Sequence, residues 1–420
     1  MICLTPFHHT VMQKITRFLK PLRKISLSLV GGFTTAIIAA HPSGAVTITG
    51  VDFLGQSTFP TQTFFQETQL GGLSGITYDP TKNVYYSISD DRSQFNPARF
   101  YTLQIDISDG VLEQGEVTPL EVTTLLNQNN QPFPALSLDP EGIALTSNGT
   151  VFISSEGDAN QLINPFVNEF SLSGQQLKAL PVPEKFFPTA DKSSGIRNNL
   201  AFESLTLTPN QKYLFTATEN ALFQDGAAAD INISSPSRIL KYDLNAGKPV
   251  AEFLYVTEPV AAAPIPATDF KTNGLVDLLA VDDNTFLSLE RSFSVGVGNT
   301  IKLFEVSLEK ATDISNINSL SQIDIKTIKT AKKELLLDFS ELKLTLDNIE
   351  GLTFGPDLAD GRKSLIVVSD NNFSDTQFTQ ILAFGVKTTS PRAVPEPSAI
   401  ASFAFLALVG LQLKRRVHSS

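Results

Sequence analysis

Pro140-Glu141-Gly142-Ile143-Ala144-Leu145, a turn at Asn148-Gly149, and Val151-Phe152-Ile153-Ser154-Ser155-Glu156 decide the fold. Both apolar runs alternate, are rich in β-branched and aromatic residues and flank a strong breaker. That pattern predicts a β-hairpin. One acidic residue opens the first run and another closes the second. The arrangement recurs four times. Leu73-Ser74-Gly75-Ile76 is followed by residues 84–89 and Asp90-Asp91. Phe202-Glu203-Ser204-Leu205 is followed by residues 213–218 and Glu219. Gly274-Leu275-Val276-Asp277, a degenerate copy, is followed by residues 285–289 and Glu290-Arg291. Ile349-Glu350-Gly351-Leu352 is followed by residues 365–369 and Asp370.

After each pair comes a third apolar run, such as residues 99–105 or 238–242, and then a weaker fourth, such as 121–126 or 252–256. Four antiparallel strands per unit, repeated around a ring, predict an all-β fold: a β-propeller of four-stranded antiparallel blades. The count is five blades, or six if one is hidden in a long insertion. An open solenoid or two β-sandwiches are the competing arrangements. The last copy shows only three strands, ending at residues 380–384, and residues 46–54 are expected to supply the fourth and close the ring.

The ends of the chain read differently. Residues 1–45 hold five basic and no acidic residues, an apolar run over 25–40 and the small residues Ser43-Gly44-Ala45. This is the pattern of a secretory signal peptide; an uncut N-terminal anchor is the alternative. Residues 391–420 contain Val394-Pro395-Glu396-Pro397, a short apolar stretch over 399–413 and Lys414-Arg415-Arg416. That order resembles the PEP-CTERM sorting signal of Gram-negative bacteria. The resemblance implies transient membrane anchoring by the C-terminal helix, cleavage by an exosortase and delivery to the cell surface or exterior. An ordinary C-terminal anchor is the alternative.

The chain carries a net charge of −11, and residues 46–390 alone hold 23 basic and 42 acidic residues. So acidic a domain excludes nucleic acid as a partner and suits a cation. The single Cys and all four His lie in the two ends, and the 420 residues contain no Trp. Within 46–390 no Ser–His–Asp triad, Cys–His pair or imidazole–thiolate zinc site is available. Gly71-Gly72-Leu73-Ser74-Gly75 does not have nucleophile-elbow spacing and is read as structural. Chemistry must come from carboxylates, Arg, Lys, Tyr, hydroxyls or a hard metal ion.

In an antiparallel hairpin the start of the first strand lies beside the end of the second. Glu141 therefore meets Glu156, Glu203 meets Glu219, Glu350 meets Asp370, Ser74 meets Asp90, and Val276 meets Glu290. Closure of the ring brings all five pairs to one mouth of the channel. Glu141, Glu203 and Glu350 are the candidates to activate water. Asp90, Asp91, Glu156, Glu219, Glu290 and Asp370 are the candidate metal ligands, and calcium is the expected cofactor because it takes oxygen donors. Arg92 and Arg291 share the rim and could clamp an anionic substrate group; neutralising their acidic neighbours is the alternative role.

At these residues the chain resembles the bacterial phytase-like family, often described by esterase-like activity. The likeness rests on Leu73-Ser74-Gly75-Ile76, Ser89-Asp90-Asp91-Arg92, Pro140-Glu141-Gly142-Ile143, Phe202-Glu203-Ser204-Leu205, Leu289-Glu290-Arg291, Asn348-Ile349-Glu350-Gly351-Leu352 and Ser369-Asp370-Asn371-Asn372. It implies a propeller that hydrolyses a small ester or phosphoester with calcium; from the ends of the chain export is expected, and the protein is expected to be a monomer. A calcium-stabilised, non-catalytic binding propeller is the second reading. Signal peptidase and exosortase are the expected processing partners.

Overall fold

The computed structural model describes residues 47–389. The strand β1 (Thr47–Pro60) comes first, followed by a two-rung hairpin, β2 (Phe64–Phe65) and β3 (Thr68–Gln69). Blade one is then β4 (Leu73–Asp79), β5 (Val84–Ser89), β6 (Arg99–Ile105) and β7 (Val117–Thr124). Blade two is β8 (Pro140–Leu145), β9 (Thr150–Ser155), β10 (Phe166–Ser171) and β11 (Gln176–Leu180). Blade three is β12 (Phe202–Leu207), β13 (Tyr213–Thr218), β14 (Pro236–Asp243) and β15 (Lys248–Val256). Blade four is β16 (Lys271–Ala280), β17 (Thr285–Ser294), β18 (Gly298–Ser307) and β19 (Lys332–Asp338). Blade five is β20 (Asn348–Asp357), β21 (Lys363–Asp370) and β22 (Phe378–Thr389). Short 3-10 turns are the only helical elements among the described residues.

Each blade is a four-stranded antiparallel sheet, and blade five obtains its fourth strand from the other end of the chain, in the order β1-β22-β21-β20. The pairing runs from Thr47↔Thr389 to Pro60↔Phe378. The closing strand thus runs six residues past the stretch 46–54 expected to supply it. The fold is a five-bladed β-propeller, as the hairpin repeat predicts.

Five apolar clusters fill the five seams between blades. One seam joins Ile88 and Phe100 of blade one to Ile143, Val151 and Ile153 of blade two. The seam between blades four and five joins Leu289, Ile301 and Leu303 to Leu352, Val367 and Leu382. These side chains are almost completely buried, and each contributes about 1.5–3 kcal/mol by leaving water. Near the axis the inner strands touch. A Cβ on Gly142 would come within 2.6 Å of the Leu205 Cβ and the Ser154 Oγ, so glycine there lets blades two and three converge.

The channel has two unlike ends. The turn end opens into a cavity of about 400 Å³ lined by Ile143, Leu145, Leu205, Leu279 and Phe354. The opposite end is acidic. Between them Asp277, buried at the waist, accepts backbone N–H bonds from Leu278 and from Leu352, both at 2.8 Å. It links blade four directly to blade five.

The signal-peptide reading (1–45), the PEP-CTERM reading (391–420) and the apolar stretch 399–413 lie outside the described residues. No helix among the described residues is long and apolar enough to cross a membrane.

Candidate metal centre at the acidic mouth

Every inner strand carries a β-bulge on the same rung. The pairing steps from Leu73↔Ser89 to Gly75↔Ile88, from Phe202↔Thr218 to Ser204↔Ala217, and from Ile349↔Ser369 to Gly351↔Val368. It steps likewise from Pro140↔Ser155 to Ile143↔Ile153 and from Leu275↔Glu290 to Asp277↔Leu289. The extra residue is Ser74, Glu141, Glu203, Val276 or Glu350. A bulge breaks the ladder and re-aims the side chain it carries, and Glu141, Glu203 and Glu350 line the cavity at this mouth.

A second tier stands on one shared rung of the second strands: Asp90, Glu156 and Glu219 just past the ends of β5, β9 and β13, Asp370 as the last residue of β21, and Arg291 inside the longer β17. Blade four corrects the expected register. Leu275 pairs with Glu290 as Leu73 pairs with Ser89, so the counterpart of Asp90 is Arg291, not Glu290. A slip of one residue turns a side chain to the other face. Glu290 accordingly accepts bonds from the Tyr255 hydroxyl (2.7 Å), Glu258 N (2.7 Å) and Lys333 Nζ (2.5 Å), away from the ring. Asp91 also leaves the set. It is buried in an ion pair with Arg99 at 2.7 Å and accepts N–H bonds from Gln94, Phe95 and Asn96. Its oxygens are spent on holding the loop after β5.

The remaining acids come together. Glu156, Glu203 and Glu219 offer oxygens all within 4.8 Å of one another, and Asp90, Asp139 and Glu141 form a second such trio. Asp139 was not among the expected ligands. In the other copies the matching position holds Gly72, Ala201, Gly274 or Asn348, so the repeat hides it, although it stands two residues before Glu141. Glu350 and Asp370 complete the ring. Gly274 makes room for it: a Cβ there would lie 2.2–2.5 Å from the Glu219 carboxylate.

Both arginines are engaged by carboxylates. Arg291 Nη2 lies 2.8 Å from Glu350 Oε1 and 3.6 Å from Glu219 Oε1. Arg92 Nη2 lies 2.6 Å from Asp158 Oδ2, and its Nε lies 3.4 Å from Asp139 Oδ1. Eight carboxylates (Asp90, Asp139, Glu141, Glu156, Glu203, Glu219, Glu350, Asp370) therefore face two cations.

Burial and mutual repulsion raise the pKa values of these acids above the usual carboxylate range. Burial, aided by the Glu156 charge, raises Asp139 to about 7. Burial, aided by Glu219, raises Glu156 to about 8. Burial raises Glu219 to about 7 despite the opposing pull of Arg291. Asp90, Glu141, Glu203 and Asp370 are pushed well above the carboxylate range, again chiefly by burial.

The donor set fits a hard cation. It is all oxygen, and among the described residues the buried atoms Asp90 Oδ1, Glu156 Oε2 and Glu219 Oε1 have no hydrogen-bond partner, the last having only the 3.6 Å ion pair with Arg291. An unpaired buried polar atom is costly unless something satisfies it. Carboxylate trios with free oxygens are what calcium recognises.

The family model for phytase-like proteins, described by esterase-like activity of phytase, matches residues 68–373. The chain belongs to the phytase-like family. All five inner strands and both tiers of the ring fall within the matched span. An uncharacterized secreted protein of Arthroderma benhamiae is 24% identical over 217 residues, 44% of this chain and 41% of that protein. The chain thus spans about two fifths of that curated relative. Among solved structures, the catalytic domain of an α-L-arabinofuranosidase from Coprinopsis cinerea is similar at 6% identity and a TM-score of 0.41. It is matched over 82% of this chain and 100% of that one. The periplasmic gluconolactonase of Pseudomonas aeruginosa is similar at 12% identity and a TM-score of 0.33, over 77% and 90%. Likeness at that level carries no argument about chemistry.

Proposed function

We propose that this phytase-like propeller is an exported, calcium-dependent hydrolase of phosphoesters or other small esters. The observation that supports it most is the pair of buried carboxylate trios with unpartnered oxygens at one mouth. Glu156, Glu203 and Glu219 would hold one ion, and Asp90, Asp139 and Glu141 a second. Bound calcium supplies charge neutralisation at the ester oxygen and a more acidic water. The chain's own part is proton handling. Carboxyl groups raised toward neutrality can take a proton from water at one oxygen and return it to a leaving group from another. Arg291 orients Glu350 through its 2.8 Å bond.

Export follows from the signal-peptide pattern and agrees with a relative described as secreted. The C-terminal pattern adds exosortase processing and a place at the cell surface.

One observation favours the second reading, a calcium-stabilised binding propeller without turnover: both rim arginines are already paired with carboxylates. The assay that separates them uses p-nitrophenyl phosphate and p-nitrophenyl acetate, with calcium and with EDTA. Turnover that needs calcium and is lost in Glu141→Gln or Glu350→Gln supports the hydrolase. No turnover on an ester panel, with a calcium-dependent rise in Tm, supports the binding propeller.

A further inference from the structure

Part of the wall of the acidic cavity is apolar, with Leu346 and Phe378 at blade five and an aromatic pair, Phe270 and Phe293, at blade four. The strands β16, β17 and β18 each run ten residues, against six or seven for the two innermost strands of blades one to three. The segment entering β16 folds back onto the β17–β18 hairpin. Ala261 N donates to Ser292 Oγ at 3.0 Å, Ser294 Oγ to the Ala262 carbonyl at 2.7 Å, and Ile265 N to the Val295 carbonyl at 2.8 Å. Val295 N in turn donates to the Phe270 carbonyl at 3.0 Å. This backbone is firmly tied, yet it displays Ile265, Phe270 and Val297 at 68%, 63% and 49% exposure. Phe270 and Phe293 pack with centroids 6.2 Å apart. Both line the 640 Å³ cavity that also holds Asp90, Glu141, Glu203 and Glu350.

Exposed aromatic surface on a rigid support adds nothing to folding and commonly marks a binding surface. Beside it the carboxylates outnumber the cations, so a polyanion is repelled until several charges are neutralised. A ligand with one polar head and a hydrocarbon arm suits both halves of the cavity. We infer, resting on the ester-hydrolase reading above, that Phe270 and Phe293 form the subsite for an apolar arm. The site then takes esters whose polar head lies among the carboxylates and whose alkyl or aryl part lies on this wall.

Calorimetric titration of the calcium-loaded protein with methyl-, butyl- and octylphosphonate tests the wall independently of turnover. The expected result is an affinity gain of about twofold per methylene, part of the full value for a buried CH₂. The gain disappears in the Phe270→Ala/Phe293→Ala double variant and persists in Val111→Ala, an exposed apolar residue on the loop between β6 and β7. Turnover of p-nitrophenyl acetate, butyrate and octanoate is followed in parallel. A flat phosphonate series, or a gain that survives loss of both phenylalanines, overturns the wall. Hydrolysis without a chain-length gain overturns the wall alone. A gain dependent on the two phenylalanines without hydrolysis of any ester retains the wall and overturns the hydrolase reading.

Discussion

Arg291 stands in blade four on the rung that Asp90, Glu156, Glu219 and Asp370 occupy in the other blades, and among the described residues it is the one cation set between Glu219 and Glu350. Removing it leaves those charges uncompensated. Arg291→Gln is expected to cost about 3–5 kcal/mol in calcium-free protein, read by urea melts in EDTA, with part of the loss recovered on adding calcium. The raised acids predict a pH slope. Each loses its proton near pH 3.8 (Asp139) or 4.5 (Glu156, Glu219) in the unfolded chain but near 7 to 8 when folded. The folded state therefore binds more protons across that window, and stability falls as pH rises through it. Calcium-free Tm should drop from pH 5 to pH 8.5, and saturating calcium should flatten the slope. Gly274→Ala sets a methyl group against the Glu219 carboxylate; calcium affinity measured by calorimetry should weaken by tenfold or more.

At the scale of strands, the bulge makes the ring. The hairpins, their turns and the recurrence of an acid at each end were legible in sequence, because strand alternation and breaker residues are local signals. The bulge was not legible, since it depends on which residue across the ladder is skipped. That is why Glu290 was expected in place of Arg291. Asp139 escaped because its counterparts are not acidic, and Asp91 misled because a carboxylate bound to Arg99 looks identical in sequence to one facing the channel. Asp277 belongs to this scale too, since it takes the place of the glycine found after the bulge in blades one, two and five. Asp277→Ala leaves the Leu278 and Leu352 N–H groups without acceptors, and a loss of about 2–3 kcal/mol is expected in denaturant melts. Asp277→Asn, which keeps one acceptor oxygen, should lose less.

For the whole molecule, closure depends on β1 pairing with β22 along its full length. Deleting residues 47–56 should uncover the edge of β22 and a flank of the Leu365, Val367 and Phe384 cluster. Size-exclusion chromatography is expected to show oligomers, and the melt should broaden. The route of this strand also gives the molecule a direction. Thr389 and its partner Thr47 lie past the level of Arg362, whose guanidinium bonds Asp52 at 2.9 Å. That is the turn end of blade five, opposite Glu350 and Asp370. β22 therefore ends at the floor of the propeller. Tethered there to any support, the molecule stands upright and offers its open cup to whatever diffuses past.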